Sequence, residues 1–163
     1  MVINDILTIP GCEGGAIRLD DSVAIFGLGF HGHATRCVLD RLEAKTIIPV
    51  LGVLPETGIS PDEILKANQD VIEEKSALDV MRLPIDSVAT TFRILSEEIA
   101  LLRKSNEVVL IPMGSKPQVL SCILLSKKFP DVSCLRVSSR LNKPQEVDAA
   151  GPFVCTSVVI QTE

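Results

Sequence analysis

Apolar runs of strand length alternate with segments of helical period along most of this chain. That alternation is the βαβ signature, and it restricts the fold to a parallel sheet covered by helices on both faces. Residues 23–26, 46–51, 78–83, 107–113 and 132–137 read as strands, the second continuing toward Leu54. Helices are expected over 33–42, 60–72, 86–102 and 117–128. Ala34, Cys37, Val38 and Leu42 share one face of the first helix. The second opens on Ser60-Pro61-Asp62-Glu63, with Ser at the N-cap, Pro at the first helical position and Glu at capping-box distance. In the third, Val88, Phe92, Leu95, Ile99 and Leu102 recur in steps of four and three, while Glu97 and Glu98 fall off that stripe. Residues 3–9 are expected as an edge strand ahead of the turn Gly11-Cys12-Glu13-Gly14-Gly15, and 153–160 as a last strand at an edge. The expected fold is a single Rossmann-like α/β domain over 1–163. It is doubly wound around a mostly parallel sheet of five to six strands, with an antiparallel edge strand.

Composition supports this and removes some functions. Apolar residues make up 46% of the chain but aromatics only 3%, with no Trp and no Tyr, so the core is aliphatic. An aliphatic core suits strands buried on both faces. The shortage of rings argues against stacking platforms for single-stranded nucleic acid. A net charge of −5 argues against binding duplex nucleic acid. The five cysteines are scattered, odd in number and form no C-x-x-C pair, which indicates free thiols in a reducing compartment rather than a zinc or dithiol site. Residues 1–7 carry no basic leader, and no apolar stretch approaches the ~20 residues needed to span a bilayer. A cytoplasmic protein without a membrane partner is expected.

Two turns concentrate the chemistry. Gly27-Leu28-Gly29-Phe30-His31-Gly32 matches G-x-G-x-x-G between a strand and a helix, where Gly27, Gly29 and Gly32 would bring backbone close to a phosphate. Phe30 and His31 stand on the same rim. The second turn, Gly114-Ser115-Lys116-Pro117, offers a hydroxyl, an ammonium and the start of a helix, which together form an anion cradle. If these turns follow the first and fourth strands, they face each other where the strand order reverses. Residues 138–144 read as a loop on the same rim, from which Arg140 and Lys143 could reach a phosphate or carboxylate.

Several chemistries are weakened by what is missing. An NAD site calls for an acid at the end of the second strand, but that strand runs Pro49-Val50-Leu51-Gly52 and the nearest acid is Glu56. There is no Walker P-loop and no G-x-S-x-G elbow. His31 and His33 flank Gly32 without a third metal ligand nearby in sequence, so no metal site is expected; His31 remains a candidate general acid or phosphate donor.

The order of elements and the Gly114-Ser115-Lys116-Pro117 turn resemble the CARF domains, Rossmann-like sensors of cyclic oligoadenylates associated with CRISPR systems. In that family a later strand ends in a motif close to Gly-Gly-Thr-Lys-Pro, and the first strand leads into a short small-residue turn. Here Met113 stands in place of the first Gly and Ser115 in place of Thr. The resemblance spans about residues 20–140 in order of elements. It implies a nucleotide-sensing role and a homodimer.

The leading expectation is therefore a ligand-sensing or regulatory module that holds a small phosphorylated, nucleotide-like molecule between the first and fourth βα turns. The ligand-contacting residues would be Gly27, Gly29, Phe30, His31, Gly32, Gly114, Ser115, Lys116 and Arg140. One alternative is a nucleotide-dependent enzyme, either an NAD-linked oxidoreductase domain or a metal-independent phosphodiesterase using His31. Another is a protein-interaction domain whose glycine turns hold no ligand.

Overall fold

The computed structural model describes residues 2–15, 22–29, 32–43, 46–53, 60–74, 76–77, 79–140 and 155–159. The strands are β1 (Val2–Thr8), β2 (Ser22–Gly27), β3 (Thr46–Val53), β4 (Ser76–Ala77), β5 (Met81–Pro84), β6 (Glu107–Ile111) and β7 (Ser133–Arg140). The helices are α1 (Gly32–Leu42), α2 (Pro61–Ala67), α3 (Gln69–Glu74), α4 (Val88–Leu102) and α5 (Lys116–Lys128). The sheet runs β1-β7-β6-β2-β3, with β4 and β5 both on the outer edge of β3. Every pairing is parallel except β1 with β7. This is the expected Rossmann-like, doubly wound α/β fold, and its strand order reverses between β2 and β6.

Strand alternation divides the core into two halves. Val23, Ile25, Ile48, Val50, Val108 and Leu110 face α4 and α5, where they meet Leu95, Ile99, Cys122 and Leu125. Ala24, Phe26, Ile47, Leu51, Val109 and Ile111 face the other way onto Val38 and Leu39 of α1, Ile64 of α2 and Val71 of α3. Aliphatic side chains on both faces of each central strand are what a doubly covered sheet requires.

β4 and β5 are two pieces of one interrupted edge strand, and Pro49 explains the interruption. Ser76 and Ala77 pair with Thr46 and Ile47, and pairing resumes one residue out of step with Met81 opposite Val50. The Val50 carbonyl accepts from Leu28 toward β2, while the Val53 carbonyl accepts from Ile85 on the opposite side. Bonding sides alternate along a parallel strand, so position 49 points toward the edge. Proline has no N–H to donate there, and the edge pairing breaks at that point.

Three expectations are corrected. The helix expected over 60–72 is two helices that break at Asn68, which is fully buried and donates its side-chain amide to the Ile64 and Gly29 carbonyls. Ser60 caps α2 through the Asp62 amide rather than through the amide of Glu63, whose donor goes to the Ser60 carbonyl. The strand expected over 153–160 is irregular and exposed where it is described, at 155–159, so the antiparallel edge strand is β1 instead. In addition, Ser138 to Arg140 extend β7 rather than forming a loop, because β1 pairs with them. Leu78, Lys143 and Pro144 lie outside the described residues. No described helix is long and apolar enough to cross a membrane.

The thiols divide by burial. Cys12, Cys122 and Cys134 are buried in the α4–α5 half of the core, Cys37 is half-buried and Cys155 is exposed. Burial pushes the Cys122 thiol well up, with Cys134 adding to it; burial and the neighbouring Cys12 push Cys134 up to about 12. Native protein should expose Cys155, and more slowly Cys37, to a bulky disulfide reagent, with the other three reacting only in denaturant. A thiol whose folded pKa is raised stabilises the fold while protonated and ceases to do so as pH climbs toward that pKa. The urea midpoint should therefore fall as pH rises above ~9, and less steeply in Cys134→Ala.

Candidate functional site

The carboxyl ends of β2 and β6 meet in a contact of backbone on backbone. A β-carbon on Gly27 would stand 2.9 Å from the Met113 nitrogen and 3.0 Å from the Gly114 nitrogen. Only glycine lets the two turns come this close. The first and fourth parallel strands, β2 and β6, thus bring their following turns together at the reversal in strand order, where ligands bind in open α/β sheets.

The three glycines of the first turn have different surroundings. Gly27 is buried against the second turn, as described. Gly32, the first residue of α1, lies so close to the Ala67 carbonyl at the α2–α3 break that a β-carbon there would overlap it. Gly29 has nothing within 4 Å of where its β-carbon would be. Its carbonyl accepts the Asn68 side-chain amide at 2.9 Å, so the turn is anchored from below and open above. The Asn68 Oδ1 and Thr35 Oγ1 atoms are buried and, among the described residues, have no hydrogen-bond partner. Phe30 and His31 lie outside the described residues.

The second turn is built around a capping box. Ser115 is the N-cap of α5: its Oγ accepts the Gln118 amide at 3.5 Å, and Gln118 Oε1 accepts the Ser115 amide at 3.0 Å. The Ser115 hydroxyl donates to the Ile85 carbonyl at 3.2 Å, so it is committed to holding the turn against the end of β5. Pro117 has no amide proton, which leaves the Lys116 amide as the first-turn donor outside the box. Lys116 is exposed, and α5 has no acid in its first turn. Among the described residues no carboxylate pairs with Lys116. A cation at a helix N-terminus opposes the helix dipole, so positive potential accumulates there unbalanced.

Arg140 ends β7, beside β1. β7 pairs with β6 only at Ser133 and Cys134, then continues beside β1 until Arg140 lies opposite Val2. That places its backbone roughly 16 Å along the strand from Leu135, at ~3.3 Å per residue. His33 is exposed on α1, its Nε2 3.8 Å from the Cys37 sulfur. Among the described residues no group of three metal-ligating side chains assembles. Two clefts formed by described residues lie elsewhere. One, of about 240 Å³, is lined by Asn106, Glu107, Asp131 and Ser133 at the amino ends of β6 and β7. The other, of about 650 Å³, runs along α4 and α5 past Phe92, Leu124 and Val158.

Two residues of this site were missed in the sequence reading. Gln118 had a signal, since Ser115-Lys116-Pro117-Gln118 is the S-x-x-Q of a capping box. Asn68 did not, because its spacing fits the apolar stripe of a continuous helix. No protein-family model matches the chain, and no curated protein matches it. The class is therefore set by the fold alone: a Rossmann-like α/β protein with two βα turns joined at the strand-order reversal.

The glycine environments give a graded expectation. Gly29→Ala should leave stability within ~0.5 kcal/mol, since the space is open. Gly32→Ala should lose ~1–3 kcal/mol or more, because the methyl meets rigid backbone. Urea denaturation reads both, and equal losses at the two positions would contradict the assigned contacts.

Proposed function

We propose that this chain is a ligand-sensing or regulatory module that binds a phosphorylated, nucleotide-like molecule across the β2–α1 and β6–α5 turns. The observation that carries the reading is the Gly27 contact with the Met113 and Gly114 amides, which joins the two turns into one rim. Lys116 supplies the charge: it is exposed at the start of a 13-residue helix with no acid in its first turn. In this reading the two turns have different tasks. The start of α1 is closed by the α2–α3 break, so Gly29 offers open space for a ligand while α5 attracts the phosphate. The resemblance to CARF domains points to the same pair of turns. It makes a cyclic oligoadenylate the first ligand to try and a homodimer the expected assembly.

The test is thermal unfolding against a panel of NAD(H), NADP(H), FAD, ATP, coenzyme A, cyclic dinucleotides and cyclic oligoadenylates. A ligand at ~100 times its Kd should add ~2.7 kcal/mol to stability. Lys116→Ala should abolish that gain without lowering the unliganded melting temperature. A stabilising ligand that ignores Lys116→Ala would move the site elsewhere, and no stabilisation by any of them would favour the protein-interaction reading.

A further inference from the structure

The side chain that completes the α5 cap leaves one of its own buried polar atoms unpaired among the described residues. Gln118 is only 4% exposed, and its Nε2 has no hydrogen-bond partner among the described residues. Its carboxamide fills the space left by the missing side chain of Gly114 and borders Gly52, whose own space is taken first by Ile85. A β-carbon on Gly114 would overlap its Oε1, and one on Gly52 at the end of β3 would stand 3.2 Å from its Nε2. One end of the amide accepts the Ser115 N–H at 3.0 Å, while the other end is buried without an acceptor. An unpaired buried N–H offsets much of what a single hydrogen bond contributes. The carboxamide therefore gains little net stabilisation from its cap bond.

We propose that the Gln118 carboxamide is a resident occupant of the anion cradle, standing where an oxygen of a phosphate ester binds and leaving when that ligand arrives. The proposal rests on the reading of the rim as a phosphate site and adds the regulation of that site. Oε1 presents to the Ser115 amide the same kind of oxygen that a phosphate would present. Swinging Gln118 outward frees that amide next to the Lys116 amide and ammonium, at the positive end of α5. It also gives Nε2 a solvent partner. The docked side chain lowers the apparent affinity by the fraction of molecules it blocks, so a block in about nine of ten molecules weakens binding about tenfold. The occupant thereby sets a threshold against weakly held phosphates.

The experiment is a titration of the ¹⁵N-labelled full chain with inorganic pyrophosphate. It follows the Gly114, Ser115 and Lys116 amides and the Gln118 side-chain amide pair. In the wild type the pyrophosphate should shift these backbone amides and move the Gln118 pair toward the position of a solvated glutamine. Gln118→Ala should bind about tenfold tighter, and Gln118→Glu, which installs a permanent anion, should not bind. Gly114→Ala puts a methyl group on the Oε1 position, filling the cradle against side chain and phosphate alike, and should not bind; the movement of the Gln118 pair in the wild type carries the test if loss of the cap unfolds Gln118→Ala. Equal affinity in the wild type and Gln118→Ala, or a Gln118 pair that stays in place as pyrophosphate binds, with binding still lost in Lys116→Ala, would overturn the occupant and leave the site. No Lys116-dependent shift in any variant would overturn both.

Discussion

Gly27 has backbone where any other residue would have a side chain, and much of the candidate site follows from that. With the Met113 and Gly114 amides within about 3 Å of its absent β-carbon, the ends of β2 and β6 are locked at one height. The turns that follow them share a rim, and α5 begins beside the first turn instead of a side chain's width away. Phe26 and Ile111, paired across the two strands, are both fully buried just before this contact. The rim thus stands on a rigid part of the core, which is what a preorganised binding site needs.

Most of the fold was readable because its signals are local and periodic. The aliphatic runs and the stripe of α4 depend on a residue's near neighbours, and those patterns survive folding. The errors arose where a distant partner decides. Asn68 breaks a helix because it bonds to Gly29, 39 positions away in the chain. Ser138 to Arg140 extend a strand because β1 pairs with them. The broken edge strand lay between these cases: Pro49 is visible in the sequence, but the side its missing donor faces is set by the sheet.

The site was legible as a pair of turns but not as a division of labour. A glycine motif shows where side chains are absent and not what fills the space. Gly27 admits the second turn, Gly32 admits the Ala67 carbonyl, Gly52 admits the Ile85 side chain with the Gln118 amide just beyond it, Gly114 admits the Gln118 carboxamide, and Gly29 stands open. Three of the four occupied glycines therefore hold structure that surrounds the start of α5 or the meeting of the turns. Ser115 is the pivot of a cap rather than an offered hydroxyl, donating to Ile85 and accepting from Gln118. Lys116 is exposed at the start of α5, where a lone cation has no local structural reward.

The central claim is that the two turns behave as one unit through the Gly27 contact. Hydrogen–deuterium exchange of the wild type and Gly27→Ala, compared over residues 23–29 and 108–118, tests it directly. A methyl group at Gly27 must push on the Met113 and Gly114 amides, so exchange should quicken in both segments together while α4 stays protected. Faster exchange confined to 23–29, with 108–118 unchanged, would mean that the turns are independent and would contradict the account.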